Sequence, residues 1–336
     1  MDQVTHLALG AALAQLPSSH IKQSPPLDWK KRAIIGASAA LFPDIDYLLF
    51  FYQPLDFIAY WHRAETHSLL LAPVFALVLT LLWKCAFRRL PTLLVFYITL
   101  IAICSHCLLD CFTPFGTQLF APITRHTFSW NLLYVVDAYF TLAVLLMLFF
   151  LVIKTTFIQR ILACAIPISY VLLIVWLKST VTDTIRENSN YANSTVLPQP
   201  FSPMYWKAVS PLDNGYAMSF AEIFNDPIAR FVSNSIGYLN PQDKYNPLNQ
   251  LKWHQYPLLP ESADSDLVAT AWQHPKFKAF RDFARYPVFL HVKNSTKGRC
   301  IWFADLRYFE THSVVYFRYA MCLNKNDWQV VRGEYF

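Results

Sequence analysis

PTLLVFYITLIAICSHCLLD, residues 91–110, decides the fold. It is one apolar run with no lysine or arginine, and its single acid closes it. A helix crossing the hydrocarbon core of a bilayer needs about 20 mostly apolar residues. In lipid only a closed backbone hydrogen-bond pattern is viable, so such a run reads as a helix. Working outward, the only charged side chains between Thr92 and Ile153 are Asp110, Arg125 and Asp137. From Thr180 onward charges, Asn and Pro return at ordinary density. The two parts want different solvents. The expectation is a polytopic α-helical membrane domain over 1–179 and a small soluble α+β domain over 180–336.

Over all 336 residues the chain is 55% hydrophobic and 15% charged, against roughly 25% charged in an ordinary globular domain. Candidate spans are 3–20, 33–52, 67–84, 91–110, 132–153 and 160–178, the first of them marginal, so five to six helices are expected. The net charge is +6. Its lysines and arginines flank apolar runs, as in Lys30-Lys31-Arg32 and Arg88-Arg89, which is a membrane pattern and not a nucleic-acid surface. Counting them in the short loops sets the orientation. Lys22, Lys30, Lys31 and Arg32 lie in the first loop, Lys84, Arg88 and Arg89 in the third, and Lys154 and Arg160 in the fifth. The intervening loops hold only Arg63 and Arg125. Odd loops therefore face the cytoplasm, and the C-terminal domain faces the periplasm of a bacterial inner membrane. The N-terminus lacks the features of a cleavable signal.

In the C-terminal part Pro287–Lys293, Cys300–Leu306 and Ser313–Leu323 alternate like strands, and a helix is expected around Leu267–Ala284. Pairing of the last two strands would bring Cys300 near Cys322, as a disulfide or as two buried thiols. Cys104 and Cys107 read as small helix-packing residues.

Ionisable groups inside membrane segments are expensive and need a reason. Here they share one side of the membrane. Asp2 and His6 open the first helix, and Asp44 and Asp46 follow Pro43 in the second. His62, Arg63, Glu65 and His67 fill the next outer loop, His106 and Asp110 close the fourth span, and Asp137 begins the fifth. Asp2/His6 and His106/Asp110 are i,i+4 pairs, each on one helix face. Imidazoles and carboxylates without thiolates suit a catalytic zinc, manganese or iron site better than a structural zinc. Asp110 and Asp137 also suit helix caps, and a proton path is a further use for such groups. His20, His126, His254, His274, His291 and His312 show no comparable clustering.

The order Asp2-Gln-Val-Thr-His6, Phe42-Pro-Asp-Ile-Asp46, His62-Arg-Ala-Glu-Thr-His-Ser68, His106-Cys-Leu-Leu-Asp110 and Pro114-Phe-Gly-Thr-Gln-Leu-Phe120 resembles the YdjM-like family of membrane-bound, metal-dependent hydrolases. The resemblance implies a divalent metal, zinc first, held among His6, Asp44, Asp46, His62, His67, His106 and Asp110. It departs at Ala64, where the family often carries Gly. Asp44, Asp46 and Glu65 are candidate acid–base groups, and Arg63 a candidate clamp for an anionic substrate. Arg125 and His126 are expected to help from above, and Gly116 to make a tight turn near the site. A looser similarity to zinc-dependent phospholipase C hints at phosphoesters. A site at the outer leaflet suits a lipid or lipid-linked substrate. The alternative is a metal- or ion-binding membrane protein or transporter without hydrolytic activity. Transport predicts ionisable groups through the whole bilayer depth, whereas the inner halves of these helices are almost free of them.

Overall fold

The 19-residue helix Thr92–Asp110 forms as its composition requires, and the helices around it are built against it. In this computed structural model the described residues are 1–16, 27–153, 156–224, 226–228, 231, 235, 245–309, 317–325 and 327–333. His20, Lys22, Lys154, His312 and the start of the expected strand at 313–316 lie outside them. The chain divides into two compact units, Met1–Phe57 with Trp61–Trp176, and Leu177–Phe336 with Ile58–Tyr60.

The first unit is helical. Its helices are α1 (Gln3–Leu13), α2 (Trp29–Leu41), the short α3 (Pro54–Asp56), α4 (Ala72–Ala86), α5 (Thr92–Asp110) and α6 (Ala138–Val152). The long α7 (Phe157–Asn188) begins in it. Three helical stretches among the described residues are long and apolar enough to cross a membrane: Trp29–Phe51, Thr92–Asp110 and Phe157–Asn188. Pro54–His67 with Ala72–Ala86, bent by 71°, makes a fourth if the pair is one span. The first and fifth expected spans are shorter than the sequence suggests. Over 3–20, α1 has 11 residues and is about 16 Å long. Over 132–153, helix begins only at Ala138. The backbone N–H groups of Leu132 and Leu133 instead donate to the carbonyl of Phe112, so that apolar stretch folds back as loop.

Large apolar side chains stand exposed along these helices, among them Leu81 and Leu82 on α4, Phe149 and Phe150 on α6, and Leu172 and Trp176 on α7. Water does not tolerate such continuous apolar faces, and lipid does. Small residues let the interior helices close. A Cβ on Gly36 would meet the carbonyl oxygen of Gly10 at 2.2 Å, so α1 and α2 touch backbone to backbone. Pro43 has the effect expected of it. It cannot donate to the preceding turn, the α-helix ends at Leu41, and the chain continues as a 3-10 run over Phe42–Phe51.

The second unit is strand-rich. One sheet has the order β1 (Thr195–Pro198), β2 (Tyr205–Leu212), β3 (Gly215–Glu222), β4 (Asn246–Pro247), with β5 (His254–Tyr256) also on β3. The other is a four-stranded antiparallel meander of β6 (Pro287–Ser295), β7 (Gly298–Asp305), β8 (Tyr319–Asn324) and β9 (Asp327–Arg332). Leu197, Val209, Met218, Val288 and Leu306 form a core shared by the two sheets. Cys300 pairs with Cys322 across β7 and β8, and the two form a disulfide. The helix expected around Leu267–Ala284 is broken into α8 (Ser265–Gln273) and α9 (Lys278–Phe283). His274, preceding Pro275, is held extended with ψ 136°, as the proline ring demands. Cys85, Cys104, Cys107, Cys111 and Cys164 are free thiols, and Cys107 and Cys111 pack between α4 and α5.

Candidate metal centre

Four chain segments deliver the polar side chains to one place inside the helical unit. His6 lies one turn into α1, and Asp44 and Asp46 lie on the 3-10 run after Pro43. His62, Arg63 and His67 come from the turn between α3 and α4, and His106 and Asp110 from the last turn of α5. His6, Asp46, His62, Arg63, His67, His106 and Asp110 are all buried. The side chain of Asp44 is the most open of the cluster, at 11% exposed.

Hydrogen bonds fix the tautomers. His106 Nδ1 lies 2.6 Å from the carbonyl oxygen of Ala40, which only accepts, so Nδ1 carries the hydrogen and Nε2 the lone pair. Thr66 Oγ1 donates to Asp46 Oδ2 at 3.2 Å and so accepts from His67 Nδ1 at 2.9 Å. His67 Nε2 is therefore left to hold a proton or to meet a metal. The two Nε2 atoms face each other at 3.1 Å.

Asp110 adds a third group. Its Oδ1 takes His6 Nε2 at 3.2 Å, Arg63 Nη2 at 3.0 Å and the Met1 amino group. Its Oδ2 is buried without a hydrogen-bond partner and lies 3.4 Å from both His67 Nε2 and His106 Nε2. Asp44 Oδ1 is the fourth, 3.4 Å from His67 Nε2 and 3.7 Å from His106 Nε2.

Two imidazole nitrogens and two carboxylate oxygens converge here, a cluster that a cation or a shared proton would hold together. The two Nε2 atoms and the two carboxylates give separations of 3.1–3.7 Å, and residues from this cluster could hold a metal ion. Asp44/His67/His106 is one of three groupings with metal-compatible spacing among the described residues; the others are His6/His106/Asp110 and Asp44/Asp46/His62.

The remaining residues support this centre in different ways. His6 stacks on His106 with ring centroids 3.7 Å apart and steers Asp110 through Oδ1. Arg63 is committed to Asp110, with Nη1 also donating to Thr113 Oγ1 at 2.8 Å, and its guanidinium lies over the Phe115 ring. Arg63 takes a left-handed backbone with φ 58°, next to Ala64. Gln118 N donates to the Arg63 carbonyl at 2.9 Å, and Gly116, at φ 86°, turns the loop that makes this possible. Ser68 Oγ donates to the Ala121 carbonyl at 2.6 Å, pinning the His67 turn to the same loop.

Other expected site groups stand elsewhere. Glu65 forms an exposed ion pair with Arg125, and His126 packs on Phe128. Asp2 caps α1 through Thr5, and Asp137 caps α6 and accepts from Tyr170. Thr66, Thr113 and the Ala40 carbonyl escape sequence reasoning. Thr66 lies inside the quoted His62–Ser68 motif, which is the one signal that could have found it.

The model of the YdjM inner membrane protein family matches residues 1–181, the stretch that contains every one of these groups. No curated protein and no solved structure matches the chain. With the matched segment covering more than half of its 336 residues, the chain belongs to the YdjM inner membrane protein family.

Proposed function

We propose that the chain is a membrane-embedded, metal-dependent hydrolase whose site lies at the outer leaflet and takes a phosphoester or lipid-linked substrate. The observation that carries this reading is the convergence of Asp44, His67, His106 and Asp110: the two Nε2 atoms lie 3.1 Å apart, and each lies 3.4–3.7 Å from an oxygen of both carboxylates. These four residues would hold the metal. When bound, the metal supplies Lewis acidity toward a phosphoryl or carbonyl oxygen and lowers the pKa of water. Arg63 holds Asp110 in place and neutralises part of its charge. Asp44, the most open member, marks the side from which substrate arrives.

The proposed topology is multi-pass, with the shorter α1 and α6 completing a bundle of five to six membrane helices and the strand-rich unit in the periplasm. The lysine and arginine distribution supports that orientation, and so does the Cys300–Cys322 disulfide, which belongs to an oxidising compartment.

The test is to purify the full chain in detergent, count bound metal, and assay bis(p-nitrophenyl) phosphate and phospholipid vesicles. The expected result is about one zinc-type ion per chain and hydrolysis abolished by a chelator. A metal-free protein, or hydrolysis indifferent to the chelator, contradicts the proposal.

A further inference from the structure

Asp46 and His62 are buried, have ligand chemistry, and are not used by the four-residue set. With Asp44 they make a grouping of their own, in which one ligand atom from each residue lies within 4.8 Å of the others. Asp44 also belongs to the grouping with His67 and His106. It meets those two imidazoles through Oδ1. A carboxylate has a second oxygen and several lone pairs, so Asp44 can serve both groupings at once. The groupings touch at His67 as well. His67 Nδ1 lies 3.6 Å from Asp46 Oδ2, and its ring meets that of His62 edge-on with centroids 5.7 Å apart.

Two observations point to a cation in the second grouping. The first is the number of ligands. A zinc-type ion takes about four, and Asp44, His67, His106 and Asp110 already supply that many, which leaves Asp46 and His62 over. The second is the company Asp46 keeps. It is 5% exposed. Its Oδ2 accepts from the Arg63 backbone N–H and the Thr66 hydroxyl, each at 3.2 Å, and its Oδ1 carries only the His62 contact. The Arg63 guanidinium goes to Asp110 instead. Among the described residues no lysine or arginine side chain pairs with Asp46. A carboxylate buried in this way is stabilised by a cation beside it. His62 Nδ1 lies 3.2 Å from both Asp46 oxygens, a spacing that suits two ligands of one ion as well as a shared proton.

We propose that Asp44, Asp46 and His62 hold a second divalent ion and that the Asp44 carboxylate bridges it to the first. This rests on the metal centre proposed above. The second ion is the weaker of the two. It has three protein ligands, one of which is Asp44 at the open edge of the cluster, and Asp46 Oδ2 is already shared with two donors. It leaves during purification and returns when metal is added. A pair of ions suits in-line displacement at phosphorus, where the attacking and the leaving oxygen both need their charge stabilised. The pairing therefore favours a phosphoester within the substrate class proposed above.

The experiment compares wild type, His62→Gln and Asp46→Asn as full chains in detergent, stripped with a chelator and reloaded with manganese(II). Equilibrium dialysis counts bound manganese, and electron paramagnetic resonance reports whether the ions are isolated or coupled. Wild type should take up one ion tightly, with the signal of an isolated ion. It should take up a second more weakly, and the isolated signal should then give way to that of a spin-coupled pair. Hydrolysis of bis(p-nitrophenyl) phosphate should rise with the second equivalent. Both variants, as monodisperse as wild type, should keep the first ion with its isolated signal and lose the second. Wild type that saturates at one ion would assign the His62–Asp46 contact to a proton and overturn the proposal. So would two ions that never couple, a second ion retained in both variants, or loss of the first ion from both. A wild type that binds no manganese defeats the metal centre itself. A coupled pair without hydrolysis supports the second site and defeats the hydrolase reading instead.

Discussion

Asp305 and Arg307 in the strand-rich unit, and the His/Asp cluster in the helical unit, both bury charge, and they balance it in different ways. Asp305 Oδ2 accepts from Arg307 Nε at 2.8 Å and from the Arg285 backbone N–H at 2.9 Å. Arg307 Nη2 reaches Asp305 and donates to the Phe283 carbonyl, and its guanidinium carbon lies 4.8 and 5.0 Å from the ring centroids of Phe283 and Tyr308. Burial lowers the Arg307 pKa, but Asp305 and the neighbouring tyrosines outweigh it, and the net shift is upward. Nearby, Lys207 is fully buried with Nζ donating to the carbonyls of Arg307 and Phe309. Arg307 Nε and Nη2 and Lys207 Nζ each reach an acceptor there. In the helical unit, among the described residues, Asp110 Oδ2 and His6 Nδ1 are buried without a hydrogen-bond partner, and the Nε2 atoms of His67 and His106 face each other at 3.1 Å. Closed networks hold a fold together; a convergent network with unpartnered atoms is built around something else.

The largest expected effect breaks the closed side. Arg307→Ala leaves Asp305 buried and uncompensated and should cost about 3–5 kcal/mol of stability in the strand-rich unit. Chemical denaturation monitored by tryptophan fluorescence reads this out, and metal content should not change. If metal is lost as well, the two regions are not independent. Next, Cys300→Ser removes a crosslink spanning 22 residues, which should cost about 3 kcal/mol and again spare the metal. Gel mobility with and without reductant checks that the bond exists in the native protein.

Gly36→Ala tests how the open side is supported. Its Cβ cannot fit against the Gly10 carbonyl at 2.2 Å, so α1 must move from α2 at a cost of about 1–3 kcal/mol. That displaces His6 and the Ala40 carbonyl together. Thermal unfolding should fall, and zinc should be lost to a weaker chelator than wild type requires. The smallest effect is His6→Ala. Removing a residue that orients a ligand typically lowers metal affinity about 10–100-fold, so the variant should still bind zinc in a competition titration, more weakly. Complete loss of binding would promote His6 from support to ligand and shift the centre toward the His6/His106/Asp110 grouping.

Much of the helical unit is legible in the sequence because lipid imposes a simple rule on composition. Residues 91–110 could only be helix, and each His or Asp at the end of an apolar run is visible because it is costly there. Helix ends are less legible. Leu132 to Val136 is as apolar as a span, yet its backbone bonds to Phe112 and helix waits for the Asp137 cap. In the strand-rich unit β2 is buried on both faces over Tyr205–Ser210, so the alternation that marks β6 and β7 is absent. Most of the first sheet goes unseen for that reason. At the site the sequence marks which residues gather, but not what each does. Asp46 and Asp110 look alike as letters. The difference is that Asp46 accepts from Thr66, Arg63 and His62, whereas one oxygen of Asp110 is left bare.

The most direct measurement is elemental analysis of metal in the detergent-purified full chain, wild type beside His106→Ala. The account predicts about one zinc-type ion per wild-type chain and none in the variant, with both proteins equally monodisperse. Wild type without metal, or a variant that keeps its full complement, would contradict it.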